Sequence, residues 1–132
     1  MKGFNLKIVT PDGLCFDSEV ESVLVRTDDG DVEFLAGHID YMASLGTGRA
    51  RIKIGGKDRY ASVSGGFITV KGGEVKLVAV TFEFREDIDL ERAKAARDAA
   101  KERLTSANDD KLIKLTQAKL QRALNRIDVA EM

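Results

Sequence analysis

The sequence predicts an α+β protein in two parts. An N-terminal antiparallel β-sandwich of about ten short strands would occupy residues 1–85, and a C-terminal antiparallel α-helical hairpin residues 86–132. Two observations predict this. All twelve Gly lie between Gly3 and Gly73 and all eight aromatics between Phe4 and Phe84, whereas beyond Arg85 there are nine Ala but no Gly, Pro or aromatic residue. Turn formers and aromatics belong to strands and their connections, and Ala belongs to helices. The apolar period also changes, from two residues in the first part to between three and four in the second.

Alternating runs mark the strands: FNLKIV, SVLVRT, RIKI, GFITV and EVKLVAV. Each places apolar side chains on one face, as a half-buried strand requires. Turn signals separate them. TPDG (Thr10 to Gly13) has Pro where a type I turn fixes φ and Gly where the turn exits. KGGE (Lys71 to Glu74) sets Gly-Gly between two alternating runs, a hairpin signal, and IGGKDR (Ile54 to Arg59) closes another. The resulting domain has a modest core, in the size range where domains still fold alone.

The second part fits one helix over Asp89 to Leu104 and another from Asp109 or Asp110 to Asp128. Asp87 or Asp89 can cap the first helix, and Glu91 suits the positive end of its dipole. TSANDD (Thr105 to Asp110) ends the first helix and caps the second. Ala93, Ala96 and Ala100 share one face; Ile113, Leu120, Leu124 and Ile127 share another, with Leu112 and Leu115 nearby. Helices of this length are marginal alone, and an Ala stripe buries little area. The hairpin is therefore expected to be held weakly and to respond to a modest difference in binding energy.

The bulk numbers exclude several functions. Formal net charge is −1, so nothing overall draws the chain to nucleic acid or an anionic membrane. The single Cys15 allows no intramolecular disulfide and no multi-cysteine metal site. MKGFNLKIVT lacks the apolar core of a signal peptide, and no apolar run approaches the ~20 residues of a membrane span. Membrane association would go through a partner. There is one His and no phosphate-binding loop, HExxH or CxxC, so no nucleophile, base and metal constellation supports an enzyme. His38, in FLAGHIDYMASL, reads as a structural hydrogen-bonding or interface residue before a general base. Cys15 reads as a small packed strand residue, and Met42 as core filling.

The order and spacing of these blocks carry a resemblance. TPDG, EVESV, VRT and DGD from Thr10 to Asp31, then LAGHIDYMASL, TGRARI, SVSGGFITV and DIDLERAKAA, resemble the epsilon subunit of bacterial F-type ATP synthases over nearly the full length. The resemblance implies a non-catalytic subunit of the rotating central stalk that couples ion translocation to ATP synthesis and needs no cofactor. It implies a sandwich docked on the gamma subunit and the c-ring. It also implies a mobile hairpin that inhibits ATP hydrolysis when extended toward the alpha and beta catalytic subunits. Such a protein is peripheral, on the cytoplasmic face of the bacterial plasma membrane, and reaches the membrane through the complex alone. By the same resemblance Asp29, Asp31 and His38 lie at the c-ring interface. The acidic, turn-rich stretch Thr27 to Asp40 suits an interface rim facing basic loops, and equally a solvated acidic turn. The alternative is a free-standing adaptor or ATP-sensing module of the same fold.

The stretch EDIDLERA (Glu86 to Ala93) contains the motif shared by ATP-binding epsilon subunits: Ile88, Asp89, two variable residues, Arg92, Ala93. Glu83 also matches a position those relatives use, and Arg122 and Arg126 match the arginines that meet phosphates. The chemistry is coherent. Guanidinium forks suit phosphate oxygens, and Arg122 and Arg126, four apart, project from one helix face. Glu83 and Asp89 could accept a bond from an adenine amino group, and Ile88 and Ala93 offer apolar surface to the ring. ATP would act as a regulatory ligand. One departure is Ala99, where ATP-binding relatives often carry a further basic residue. The same residues also read as a capped helix with a solvated charged face.

Overall fold

The computed structural model describes residues 3–132. The chain divides into two compact units, one ending at Phe84 and the other spanning Arg85–Met132.

The first unit holds ten strands: β1 (Phe4–Thr10), β2 (Gly13–Val20), β3 (Ser22–Thr27), β4 (Gly30–Leu35), β5 (Tyr41–Ser44), β6 (Gly48–Ile54), β7 (Lys57–Ser64), β8 (Phe67–Lys71), β9 (Glu74–Val78) and β10 (Thr81–Phe84). They form two five-stranded sheets, ordered β2-β1-β9-β8-β5 and β10-β7-β6-β3-β4. The chain passes between the sheets repeatedly, so the shared core is sewn together by residues distant in sequence. Among the described residues every strand pairing is antiparallel except that of β1 with β9, which is parallel. Alternation decides which side chains go inside. In β1, Phe4, Leu6 and Ile8 are buried and Lys7 is exposed; in β3, Val23 and Val25 are buried and Arg26 is exposed. Phe34, Ile52, Ile68 and Leu77 complete the fully buried centre.

The expected turns form. At the β8–β9 and β6–β7 hairpins two consecutive glycines take positive φ, +58° and +82° at Gly72–Gly73 and +57° and +76° at Gly55–Gly56. That is the pattern of a turn whose twist matches its strands. The β1–β2 hairpin carries an irregularity: Phe16 pairs with Ile8 but Leu14 pairs with Val9, leaving Cys15 as an extra residue. The bulge turns Phe16 toward the core and Leu14 outward, where it is 60% exposed. Cys15 lies on a strand as expected but is exposed rather than packed; its thiol donates to the Ile8 carbonyl at 3.4 Å, and the desolvation it does meet raises its pKa.

Met42 corrects one expectation. It is 68% exposed rather than core filling, because its neighbours Tyr41 and Ala43 take the inward positions of β5.

In the second unit a short 3-10 turn, Arg85–Asp87, leads to α1 (Leu90–Ser106) and α2 (Asp110–Ala130). Asp89 caps α1 by accepting the Arg92 N–H at 3.1 Å, and Asp109 caps α2 by accepting the Lys111 N–H at 3.1 Å. The helices pack against each other as an antiparallel hairpin. Since α1 ends at Ser106 and α2 begins at Asp110, Ala93 lies at the level of Ala123 and Ala100 at that of Thr116. All four are buried. The stripe differs from the one expected, as Ala96 is exposed and Arg97 is half-buried. Arg97 can lay its methylenes along the seam and bring its guanidinium out, where Nε donates to Asp98 at 3.0 Å. Thr116, unremarkable in the sequence, is buried because its hydroxyl donates to the Leu112 carbonyl at 2.8 Å.

Candidate functional site

Two groups of side chains merit a functional reading, one in each unit. In the hairpin, the motif residues gather where α1 starts. The Ile88 N–H donates to the Arg85 carbonyl at 3.3 Å, closing the 3-10 turn, and Asp89 follows as the cap. One carboxylate oxygen of Asp89 is committed to that cap. Ala93 is buried, Ile88 is half-buried and Arg92 is exposed.

The hairpin brings the three arginines together. A helix turns by about 100° per residue and rises about 1.5 Å. Arg92 precedes the buried Ala93 by one position, Arg122 precedes the buried Ala123 by one, and Arg126 follows Ala123 by three. Because the helices run in opposite senses, the same backward step turns Arg92 and Arg122 to the same side of the hairpin. The step of three brings Arg126 to that side too. Arg92 sits level with Leu124, between the other two along the axis, so all three cations fall within about one helical turn. Such a set can face one polyphosphate. Glu83 belongs to the first unit, half-buried on β10 and opposite Ser62 of β7.

In the sandwich, the acidic turn between β3 and β4 is built by Thr27. Its hydroxyl donates to the Gly30 carbonyl at 2.8 Å and accepts the Asp29 N–H at 3.2 Å, while the Asp28 N–H donates to the Ser44 carbonyl at 3.1 Å. Asp28, Asp29 and Asp31 are left exposed at this end. Asp31 stands opposite Arg26, whose Nε donates to it at 2.8 Å and whose guanidinium pKa is raised by that bond.

The structure does not bring His38 to these acids. The strand from Asp31 to Leu35 alone spans about 13 Å at ~3.3 Å per residue, and His38 lies beyond it, at the far end of β4. There its ring rests 4.8 Å from Phe34 and 5.9 Å from Tyr41, between centroids, and Nδ1 lies 2.7 Å from the Ile39 carbonyl. A bond to a carbonyl requires the proton on Nδ1. Leu35 and Ile39 beside it are 53% and 77% exposed.

Sequence reasoning missed a feature of the other sheet's outer face. Strand register lines up Phe67, Val78, Val9 and Leu14 across β8, β9, β1 and β2. The signal was the bulge at Cys15, which alternation alone does not reveal. Among the described residues, no group of His, Cys, Asp and Glu is arranged to hold a metal ion. Among the same residues, no helix is long and apolar enough to cross a membrane.

Comparison with known proteins agrees with this division. Residues 3–85 match the family model of the ATP synthase delta/epsilon chain beta-sandwich domain, and residues 86–131 that of the delta/epsilon chain long alpha-helix domain. Sandwich and hairpin therefore define the delta/epsilon class of ATP synthase subunits. Over 130 residues, 98% of each chain, the sequence is 47% identical to the ATP synthase epsilon chain of Bacillus subtilis and 45% identical to that of Bacillus velezensis. The chain belongs to the ATP synthase epsilon chain family, whose members are stalk subunits and not catalysts. Its fold is similar to a chain in the cryo-EM structure of Euglena gracilis mitochondrial ATP synthase, OSCP/F1/c-ring in rotational state 1. That match has a TM-score of 0.82 at 24% identity and covers 98% of this chain and 82% of that one. It is also similar to a chain in the Tetrahymena thermophila mitochondrial ATP synthase central stalk and c-ring structure, with a TM-score of 0.56 at 12% identity, covering 88% and 95%.

Proposed function

We propose that this chain couples the rotor of its ATP synthase and carries an ATP-responsive brake. The sandwich docks on the gamma subunit and on the polar loops of the c-ring, and holds the chain to the cytoplasmic face of the bacterial plasma membrane through the complex. The hairpin inhibits hydrolysis when extended toward the alpha and beta subunits. ATP binds the closed hairpin and so relieves inhibition, because a ligand favours the state that binds it.

The observation that carries the ATP reading is the convergence of Arg92, Arg122 and Arg126 on one side of the hairpin, beside a complete Ile88–Asp89–Arg92–Ala93 motif. The arginines take the phosphates. Ile88 and Ala93 border the adenine, and the uncommitted oxygen of Asp89 accepts from its amino group. Ala99 supplies no further cation, which lowers affinity without removing the site. The apolar row Phe67–Val78–Val9–Leu14 supports docking of a large partner such as gamma. Asp29 and Asp31 suit basic c-ring loops, and His38, beyond β4, would meet the ring at a separate point.

Calorimetric titration of the isolated chain with ATP, with and without magnesium, tests the site. Saturable binding that Arg122→Ala/Arg126→Ala loses is expected. No heat at millimolar ATP would overturn the ATP role.

A further inference from the structure

Asp31 does not stand free on the acidic turn. Its partner Arg26 is directly across the strand pair, and Nε donates to the carboxylate at 2.8 Å although the side chains are 55% and 50% exposed. An exposed ion pair is ordinarily weak, since two long side chains must give up their freedom to form it. Here the stem of Arg26 is already confined. It lies along Gly48, where an added Cβ would stand 2.6 Å from Arg26 Cβ, 3.0 Å from Cγ and 3.9 Å from Nε. A Cβ at Gly46 would stand 3.7 Å from Cγ, and the Gly46 N–H donates to the Arg26 carbonyl at 3.2 Å. Any side chain at Gly48 would displace the root of Arg26. The Gly46–Thr47–Gly48 stretch thus leaves room for the Arg26 stem on its way to Asp31.

We propose that Arg26 is a positioning residue for docking: seated on Gly46 and Gly48, it fixes the Asp31 carboxylate so that a basic side chain of a polar rotor loop meets an oriented acceptor. This rests on the reading that the acidic turn meets the c-ring loops. One oxygen of Asp31 is held by Nε, and the other is left for the partner's cation. The guanidinium keeps further N–H donors beyond Nε for an acceptor next to that cation. Ordering of the carboxylate is complete before the partner arrives, so less freedom is lost on binding.

Positioning and simple attraction act on binding with opposite signs when Arg26 is replaced. Arg26→Met keeps the stem against the glycines, removes the donor and makes the turn one charge more negative. If only charge matters, a basic loop binds this variant equally or more tightly. If position matters, it binds more weakly, by roughly three- to tenfold. The probe is the gamma–c-ring complex of the same synthase, stripped of this chain and titrated with the labelled full-length protein at low salt. Arg26→Lys, which restores a donor near Asp31, should recover part of the loss, whereas a purely structural role would show as a lowered melting temperature with no such recovery. Equal or tighter binding of Arg26→Met, while Asp31→Lys weakens binding, overturns the role of Arg26 alone. Asp31→Lys binding as tightly as the native chain overturns the docking reading beneath it.

Discussion

The sandwich and the hairpin are held together by different amounts of the same force. The sandwich encloses Leu6, Ile8, Phe34, Ile52, Ile68 and Leu77, all fully buried. Each such side chain contributes about 1.5–3 kcal/mol on burial. The buried hairpin residues are mostly small, Ala93, Ala100, Ala123 and Thr116 with Ile127 and Val129, while Leu104, Ile113, Leu120 and Leu124 are only half-buried. An alanine contributes one methyl group. Two helices of 17 and 21 residues joined by such a seam are close to the limit of independent stability. The scaffold is therefore built to keep its shape, and the proposed brake is drawn from the region whose ordering a ligand or partner can decide.

The largest effect expected from breaking this comparison is in the sandwich. Leu6→Ala removes a fully buried side chain and should destabilise that unit by about 2–5 kcal/mol. Urea unfolding followed by Tyr fluorescence measures it, since both Tyr lie in the sandwich. In the hairpin, Ala100→Leu overfills the seam opposite Thr116 and should cost about 1–3 kcal/mol. Loss of far-UV helix signal with an unchanged sandwich transition checks it. Asp89→Ala removes the α1 cap and should cost about 1 kcal/mol of helix stability, read as faster amide exchange over the first turn. The smallest effect concerns Cys15. Its raised pKa keeps the thiol protonated to higher pH in the folded chain than in the unfolded one, so alkylation by iodoacetamide near pH 8 should be slower in native protein than in urea.

Local features were legible from the sequence because their causes are local. Gly-Gly at 55–56 and 72–73 takes positive φ in both hairpins, and Asp89 and Asp109 are the caps. Alternation identified Phe4, Leu6 and Ile8 as core. What stayed hidden depends on pairing between distant strands. Nothing in the β1 sequence announces a parallel neighbour in β9. The bulge that turns Leu14 outward becomes visible only in the register against Ile8 and Val9. Asp31 and His38, seven residues apart in one acidic stretch, read as one group in the sequence, but β4 runs between them. Nothing in the sequence singles out Arg26, whose role comes from lying opposite Asp31 and against Gly48. On the helix, Ala96 and Arg97 both fit between Ala93 and Ala100 by spacing, and only the packed hairpin decides that Arg97 occupies the seam.

The most direct test is hydrogen exchange by mass spectrometry on the full chain, with and without saturating ATP. Without ATP, peptides from residues 90–130 should exchange far faster than those of β1, β6 and β8. ATP should slow the hairpin peptides selectively and leave the sandwich unchanged. Hairpin amides as protected as the sandwich core in the absence of ATP, and unaltered by it, would contradict both the weak seam and the ligand-gated brake.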